Sequence, residues 1–131
     1  MQSEKIKIGD SASVSKTLTE TDVYDFAEIC GDFNPIHINK QEAEKSKFGK
    51  RICHGMLVSS FISTAIGMYL PGPGSIYLEQ SLEFLAPVYI DDTITATVMV
   101  KEINNKVISL ETIVVNQKMK KVVKGYAKVM V

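Results

Sequence analysis

The sequence predicts an α+β domain in which an antiparallel sheet wraps around one long apolar helix. Three observations carry that prediction. Helical periodicity is confined to the first half of the chain; residues 54–69 are apolar or small on nearly every side; and four strand-like segments follow the breaker Pro71-Gly72-Pro73-Gly74. A helix that is apolar all round must be covered, and a sheet with one greasy face is the partner able to cover it. At 131 residues the chain suffices for a single core, so residues 1–131 are taken as one domain.

The elements follow in order. Over residues 19–30, Val23, Phe26, Ala27 and Cys30 recur at helical spacing, as one buried face requires. Thr19 is a natural N-cap with Asp22 three positions on, Leu18 can staple onto Val23, and Gly31 supplies a left-handed stop. A short polar helix is expected over 41–47 and the long apolar one over 54–69. Strands are expected over 75–85, 93–103, 107–116 and 121–131, with a hairpin turn at Asn104-Asn105. Alternation within them is only moderate, so their facing is left open. A wrapped sheet of this kind has an open edge strand, and pairing two such edges predicts a homodimer.

Composition narrows the function classes. Fifteen basic and fifteen acidic residues balance, and the basic ones are scattered, so no nucleic-acid footprint is present. The N-terminus has no apolar signal segment, and Ser59, Ser60, Ser63, Thr64 and Gly67 interrupt the longest apolar run, which argues against a membrane span. Cys30 and Cys53 lack metal-site spacing and a disulfide framework, which fits a reducing cytoplasm. No phosphate loop, nucleotide fingerprint or metal-ligand pattern occurs, so no cofactor and no metal are expected. A small-molecule ligand is the remaining expectation.

Two clusters carry chemistry. The first is Gly31-Asp32-Phe33-Asn34-Pro35-Ile36-His37-Ile38-Asn39, expected as loop, in which Pro35 keeps Asn34 out of helical space and lets Asp32 and His37 converge. A carboxylate desolvated by an apolar pocket, beside an imidazole, can hold and deprotonate one water. The alternative is that Asp32 caps a turn and His37 is a satisfied polar residue. The second cluster, Phe48-Gly49-Lys50-Arg51-Ile52-Cys53-His54-Gly55-Met56, runs into the apolar helix. There the Gly55 amide, unobstructed by a side chain and at a helix N-terminus, can donate to a developing oxyanion. His54 is read as structural, fixing the turn into the helix.

With these residues in view, the pairing of D-F-N-P-I-H with F-G-K-R-I-C-H-G-M resembles the MaoC-like, (R)-specific enoyl-CoA hydratase family. The similarity continues through Pro71-Gly72-Pro73-Gly74-Ser75-Ile76-Tyr77 and from Gln80 to Val88, and is strongest to the short bacterial hydratases that feed polyhydroxyalkanoate synthesis. The resemblance implies a hot-dog fold, a homodimer, and an active site near the subunit interface, with the acyl chain running along the central helix. Carried over by position, Asp32 and His37 match the catalytic pair, Gly55 the oxyanion donor, Ser63 an assisting hydroxyl on the central helix, and Asn34 a positioning residue. Two positions depart from the family pattern: Asp91-Asp92 stands where Gly-Asp is frequent, and Arg51 where proline is common.

The implied activity is hydration of short-chain trans-2-enoyl-CoA to (R)-3-hydroxyacyl-CoA, with acyl-CoA as the small-molecule substrate. Ile62 and Ile66, with Leu70, are expected to close the acyl tunnel, and Lys47, Lys50 and Arg51 to offer charge to the coenzyme A phosphates, unless they are merely solvated loop charges. Three alternatives stay open: a 3-hydroxyacyl dehydratase acting on acyl-carrier protein, an acyl-CoA thioesterase, and a non-catalytic acyl-thioester binding module.

Overall fold

A computed structural model describes residues 5–131. In chain order it contains β1 (Ser11–Thr17), α1 (Glu20–Cys30), α2 (Pro35–Ile38), α3 (Lys40–Lys45), α4 (Gly55–Met68), β2 (Ile76–Gln80), β3 (Glu83–Phe84), β4 (Thr93–Asn104), β5 (Val107–Val115) and β6 (Lys121–Met130). The strands form one antiparallel sheet in the order β1-β4-β5-β6-β2, with β3 also pairing β6. Helix α4 packs across β1, β4 and β5. The expected α+β architecture is therefore present, with a β4-β5-β6 meander at its centre.

Local chemistry explains most element ends. Thr19 and Asp22 form a reciprocal capping box at the start of α1, and Gly31 ends it at φ 79°, its N–H donating to the Ala27 carbonyl. The β4–β5 turn places Asn105 at φ 58°, a conformation asparagine tolerates. Strand β5, and β4 as far as Val100, alternate between buried and half-buried positions, which resolves their facing, while the last four residues of β4 are exposed. Ile94, Ala96, Val98 and Val100 of β4 face Ile62, Ala65 and Ile66 of α4 within one core cluster.

Four features differ from the sequence expectation. Strand β1 is additional: its Ser and Thr side chains hide it from a hydrophobicity reading, and Ser13, Ser15 and Thr17 pair with Thr97, Thr95 and Thr93 of β4 through hydroxyl bonds of 2.7 Å each. The segment after Gly31 is not all loop, because Pro35 occupies the first position of the one-turn helix α2. The strand expected over 75–85 is broken into β2 and β3 at Ser81, whose carbonyl presses on Gly125 of β6 so closely that a β-carbon there would lie 1.8 Å from it. Helix α4 is covered on one side only: Met56, Ser60, Ser63, Thr64 and Met68 remain exposed. The small residues that made the helix look wholly buried line that open face.

Candidate active site

The capped end of α1 sets the first part of the site. Beyond Gly31, the Asp32 carboxylate accepts the Asn34 N–H at 3.1 Å, and the Asn34 side-chain oxygen accepts the Ile36 N–H at 3.3 Å. These two short-range bonds cap α2, and its single turn carries His37 inward until it is 8% exposed. Asn34 thus holds the turn that presents His37.

His37 Nδ1 lies 2.8 Å from the Ile52 carbonyl oxygen. A carbonyl only accepts, which assigns the proton to Nδ1 and leaves Nε2 as a free lone pair. Burial pushes the His37 pKa below its usual 6.5, the adjacent His54 pushes the same way, and the Ile52 bond and Asp32 oppose them without cancelling the effect. The neutral ring is the resting form at pH 7.

The stretch carrying Ile52 and Cys53 is pinned by Ile52 N–H to the Ile36 carbonyl at 3.2 Å and by Cys53 N–H to the Val88 carbonyl at 2.7 Å. That anchoring delivers His54 and Gly55 to the start of α4. His54 is 2% exposed, its ring stacks on His37 with centroids 3.9 Å apart and planes 27° apart, and its Nε2 donates to the Asp32 carbonyl at 2.9 Å. Ligating atoms of Asp32, His37 and His54 fall within 4.8 Å of one another. In that trio His37 Nδ1 and His54 Nε2 are already engaged with the carbonyls of Ile52 and Asp32.

Gly55 begins α4, where amides have no intrahelical acceptor and the helix dipole is positive. It sits between two cavities. One, of about 570 Å³, is mostly apolar and is lined by His37, Lys47, Phe48, Gly55, Phe84 and Val88 among others. A smaller one, of about 360 Å³, is bounded by Phe26, Cys30, Asp32, His54, Gly55 and Met56, and also touches His37. A carboxylate, an imidazole lone pair and a helix-terminal amide thus meet beside an apolar chamber.

Several expectations about this site are corrected. Asp32 is exposed and not enclosed in an apolar pocket, because among the described residues no element covers the outer side of its turn. Ser63 is exposed on the open face of α4 and lines neither cavity, while Ser59 and Ser60 spend their hydroxyls on the carbonyls of Gly55 and Leu57 at 2.8 and 2.6 Å. Ile62 and Ile66 belong to the sealed core and line neither cavity, because their side of α4 faces the sheet. Arg51 is engaged by Glu20 at 2.6 Å and the Tyr24 hydroxyl at 2.7 Å, tying the loop to α1. Lys50 lies over the Tyr89 ring at 4.6 Å, and the cation lining the larger cavity is Lys47.

Phe84 and the segment from Leu85 to Val88 form a cavity wall that the residue-by-residue reading left without a role. The signal available was Phe84-Leu85-Ala86-Pro87, an apolar stretch closed by a proline that cannot continue a central strand. Cys53 also lines that wall, but burial pushes its thiol up to about 12, so it holds no thiolate for nucleophilic attack.

The chain is similar in sequence and in fold to a set of known proteins. A family model described as "MaoC like domain" matches residues 4–124. A curated (R)-specific enoyl-CoA hydratase of Rhodospirillum rubrum is 55% identical over 97 residues, covering 74% of this chain and 67% of that protein. A 3-hydroxybutyryl-CoA dehydratase of Methylorubrum extorquens is 42% identical over 100 residues, covering 76% of this chain and 64% of its own length. The matched stretch therefore spans about two thirds of these relatives. Among solved structures, the (R)-hydratase from A. caviae involved in PHA biosynthesis superposes with a TM-score of 0.96 at 37% identity over 98% of both chains. The hot-dog architecture is thereby shared.

Proposed function

The chain belongs to the MaoC-like domain family, and from that membership we propose that it catalyses the reversible (R)-specific hydration of short-chain trans-2-enoyl-CoA, such as crotonyl-CoA, to (R)-3-hydroxyacyl-CoA. It is a hydro-lyase of the enoyl-CoA hydratase type, as its relatives are named. The observation that carries the reading is the convergence of Asp32 and His37 beside the first residue of α4, with His37 and Gly55 lining both the smaller cavity that Asp32 borders and the apolar chamber.

In this mechanism the enoyl thioester lies in the larger cavity with its oxygen toward the Gly55 N–H. The β-carbon then faces a water held between Asp32 and His37. Asp32 takes the proton as the water oxygen bonds to the β-carbon, and His37 Nε2 accepts the water's other hydrogen and fixes its direction of attack. Electron density moves onto the thioester oxygen, where the Gly55 amide, backed by the α4 dipole, stabilises the enolate. Return of a proton from the Asp32/His37 pair to the α-carbon completes the addition. No redox step or resident cofactor is required beyond the coenzyme A of the substrate.

We also propose a homodimer working in the cytoplasm. Ile76, Tyr77 and Leu78 of the edge strand β2 are exposed at 56%, 40% and 45%, and the open face of α4 carries Met56 and Met68. A second copy would cover such surfaces and could shield Asp32. Among the described residues, no helix is long and apolar enough to cross a membrane, and both cysteines are free.

The test is loss of the conjugated thioester absorbance of crotonyl-CoA with the purified protein, with chiral analysis of the product and a free-thiol assay. (R)-3-hydroxybutyryl-CoA without thiol release is the expected result. Thiol release would move the assignment to a thioesterase, and turnover confined to carrier-protein substrates would move it to an acyl-carrier-protein dehydratase.

A further inference from the structure

His54 occupies the N-cap of α4 but makes no side-chain cap bond to its own helix. Its ring serves a neighbour instead. Nε2 lies 2.9 Å from the Asp32 carbonyl oxygen, which fixes the proton on Nε2, and Nδ1 is left buried with no hydrogen-bond partner. A buried acceptor without a partner costs folding free energy. A residue kept only for packing would avoid that cost.

The ring's second contact lies perpendicular to the first. Its face stacks on His37 at 3.9 Å, and Phe26 packs against it at 4.9 Å with planes 59° apart. Only a flat ring with an in-plane donor can hold the backbone at Asp32 while pressing on the face of His37. Phenylalanine offers the face without the donor, and glutamine the donor without the face.

We propose that His54 is a positioning residue for the Asp32/His37 pair, fixing the Asp32 turn through Nε2–H and, through the stack, the ring plane in which His37 keeps its Nδ1–H bond to Ile52. The kinetic consequences rest on the hydratase reading above; the tautomer assignment stands without it. Besides His54, the titratable groups lining the cavities beside the pair are Cys30 from the end of α1, and Lys47 and Cys53 in the loop before α4.

The experiment is long-range ¹H–¹⁵N correlation of the histidine rings in the full chain, with pH titration, in wild type, His54→Phe and His54→Gln, alongside enoyl-CoA kinetics. In wild type at neutral pH, His54 should carry its proton on Nε2 and His37 on Nδ1. In His54→Phe the His37 midpoint should rise, because a neighbour that pushes it down is gone. Turnover should fall about tenfold or more with KM changed less than about twofold, and the acid limb of kcat/KM should move to higher pH. His54→Gln should recover part of the lost kcat through the retained donor. A His37 midpoint and kcat unmoved in both variants, with only thermal stability lost, overturns the proposal. So does a wild-type spectrum with the His54 proton on Nδ1, which decides the matter even where a variant does not fold. Tautomers and midpoint shift as assigned in a protein that does not hydrate crotonyl-CoA would uphold the positioning role and sink the hydratase reading instead.

Discussion

The Phe84 ring lies so close to Gly55 that a β-carbon at position 55 would sit 2.6 Å from Phe84 Cε1. Glycine is required there by the neighbour and not by its own backbone angles. Phe84 is 54% exposed, so in Gly55→Ala the ring can swing away without unfolding the chain, but it would swing within the wall of the proposed thioester chamber. Turnover should fall by about tenfold or more with a modest change in melting temperature, and Gly55→Ala/Phe84→Ala should regain part of it. A single variant running at the wild-type rate would remove Gly55 and the Phe84 wall from the mechanism.

Asp32→Asn and His37→Gln each remove one acid–base group while keeping side-chain size. Each should lower crotonyl-CoA hydration by about a hundredfold or more. Because the two groups share one water, the double variant should cost little beyond the worse single one. Near-normal turnover in either single variant would take that residue out of the proton path.

The pH dependence has a definite sign. Burial holds the folded-state pKa of His37 below 6.5, so the neutral ring persists to lower pH than in the unfolded chain. Activity should therefore hold below pH 6.5 and fall on a more acidic limb. Stability linked to His37 is present above 6.5 and is lost as pH falls through the folded-state value, because the unfolded chain takes the proton first. Urea unfolding of wild type and His37→Gln across pH 5 to 8 checks this: wild type should lose more stability on acidification, and parallel curves would contradict it.

Legibility followed the kind of information each residue carries. The capping box at Thr19 and Asp22 and the Gly31 stop are local grammar, and both stand where the sequence places them. The convergence of Asp32 and His37 was readable for the same reason, since Asn34 and Pro35 determine it within six residues. What was not readable depends on distant partners. Strand β1 is defined by its hydroxyl ladder to β4, about eighty residues away, and the break at Ser81 by Gly125 of β6. The facing of Ile62, Ser63 and Ile66 was lost because small residues gave α4 no polar side by which to orient it.

Arg51 and Lys47 separate charge used in the fold from charge offered to a ligand. Arg51 is 13% exposed at its side chain and bonded to Glu20 and Tyr24, so Arg51→Ala should lower stability by about 1 kcal/mol while leaving KM for crotonyl-CoA unchanged. Lys47 lines the larger cavity, so Lys47→Ala should raise KM severalfold with little effect on stability. Denaturant unfolding and steady-state kinetics on both variants check the pair, and the reverse pattern would return Arg51 to the substrate.

Asp91, where the family pattern favours glycine, adopts φ 75°. That left-handed conformation is strained for a residue with a β-carbon, and aspartate tolerates it better than most. Its backbone N–H donates to the Leu18 carbonyl at 2.6 Å, holding the turn before β4, while its side chain is exposed. Asp91→Gly removes the steric cost but raises the entropy of the unfolded chain, and the first effect is the larger by about 0.5 kcal/mol. The variant should melt roughly 2 °C higher with unchanged kinetics. A lower melting temperature would mean that the glycine favoured here serves something other than backbone strain.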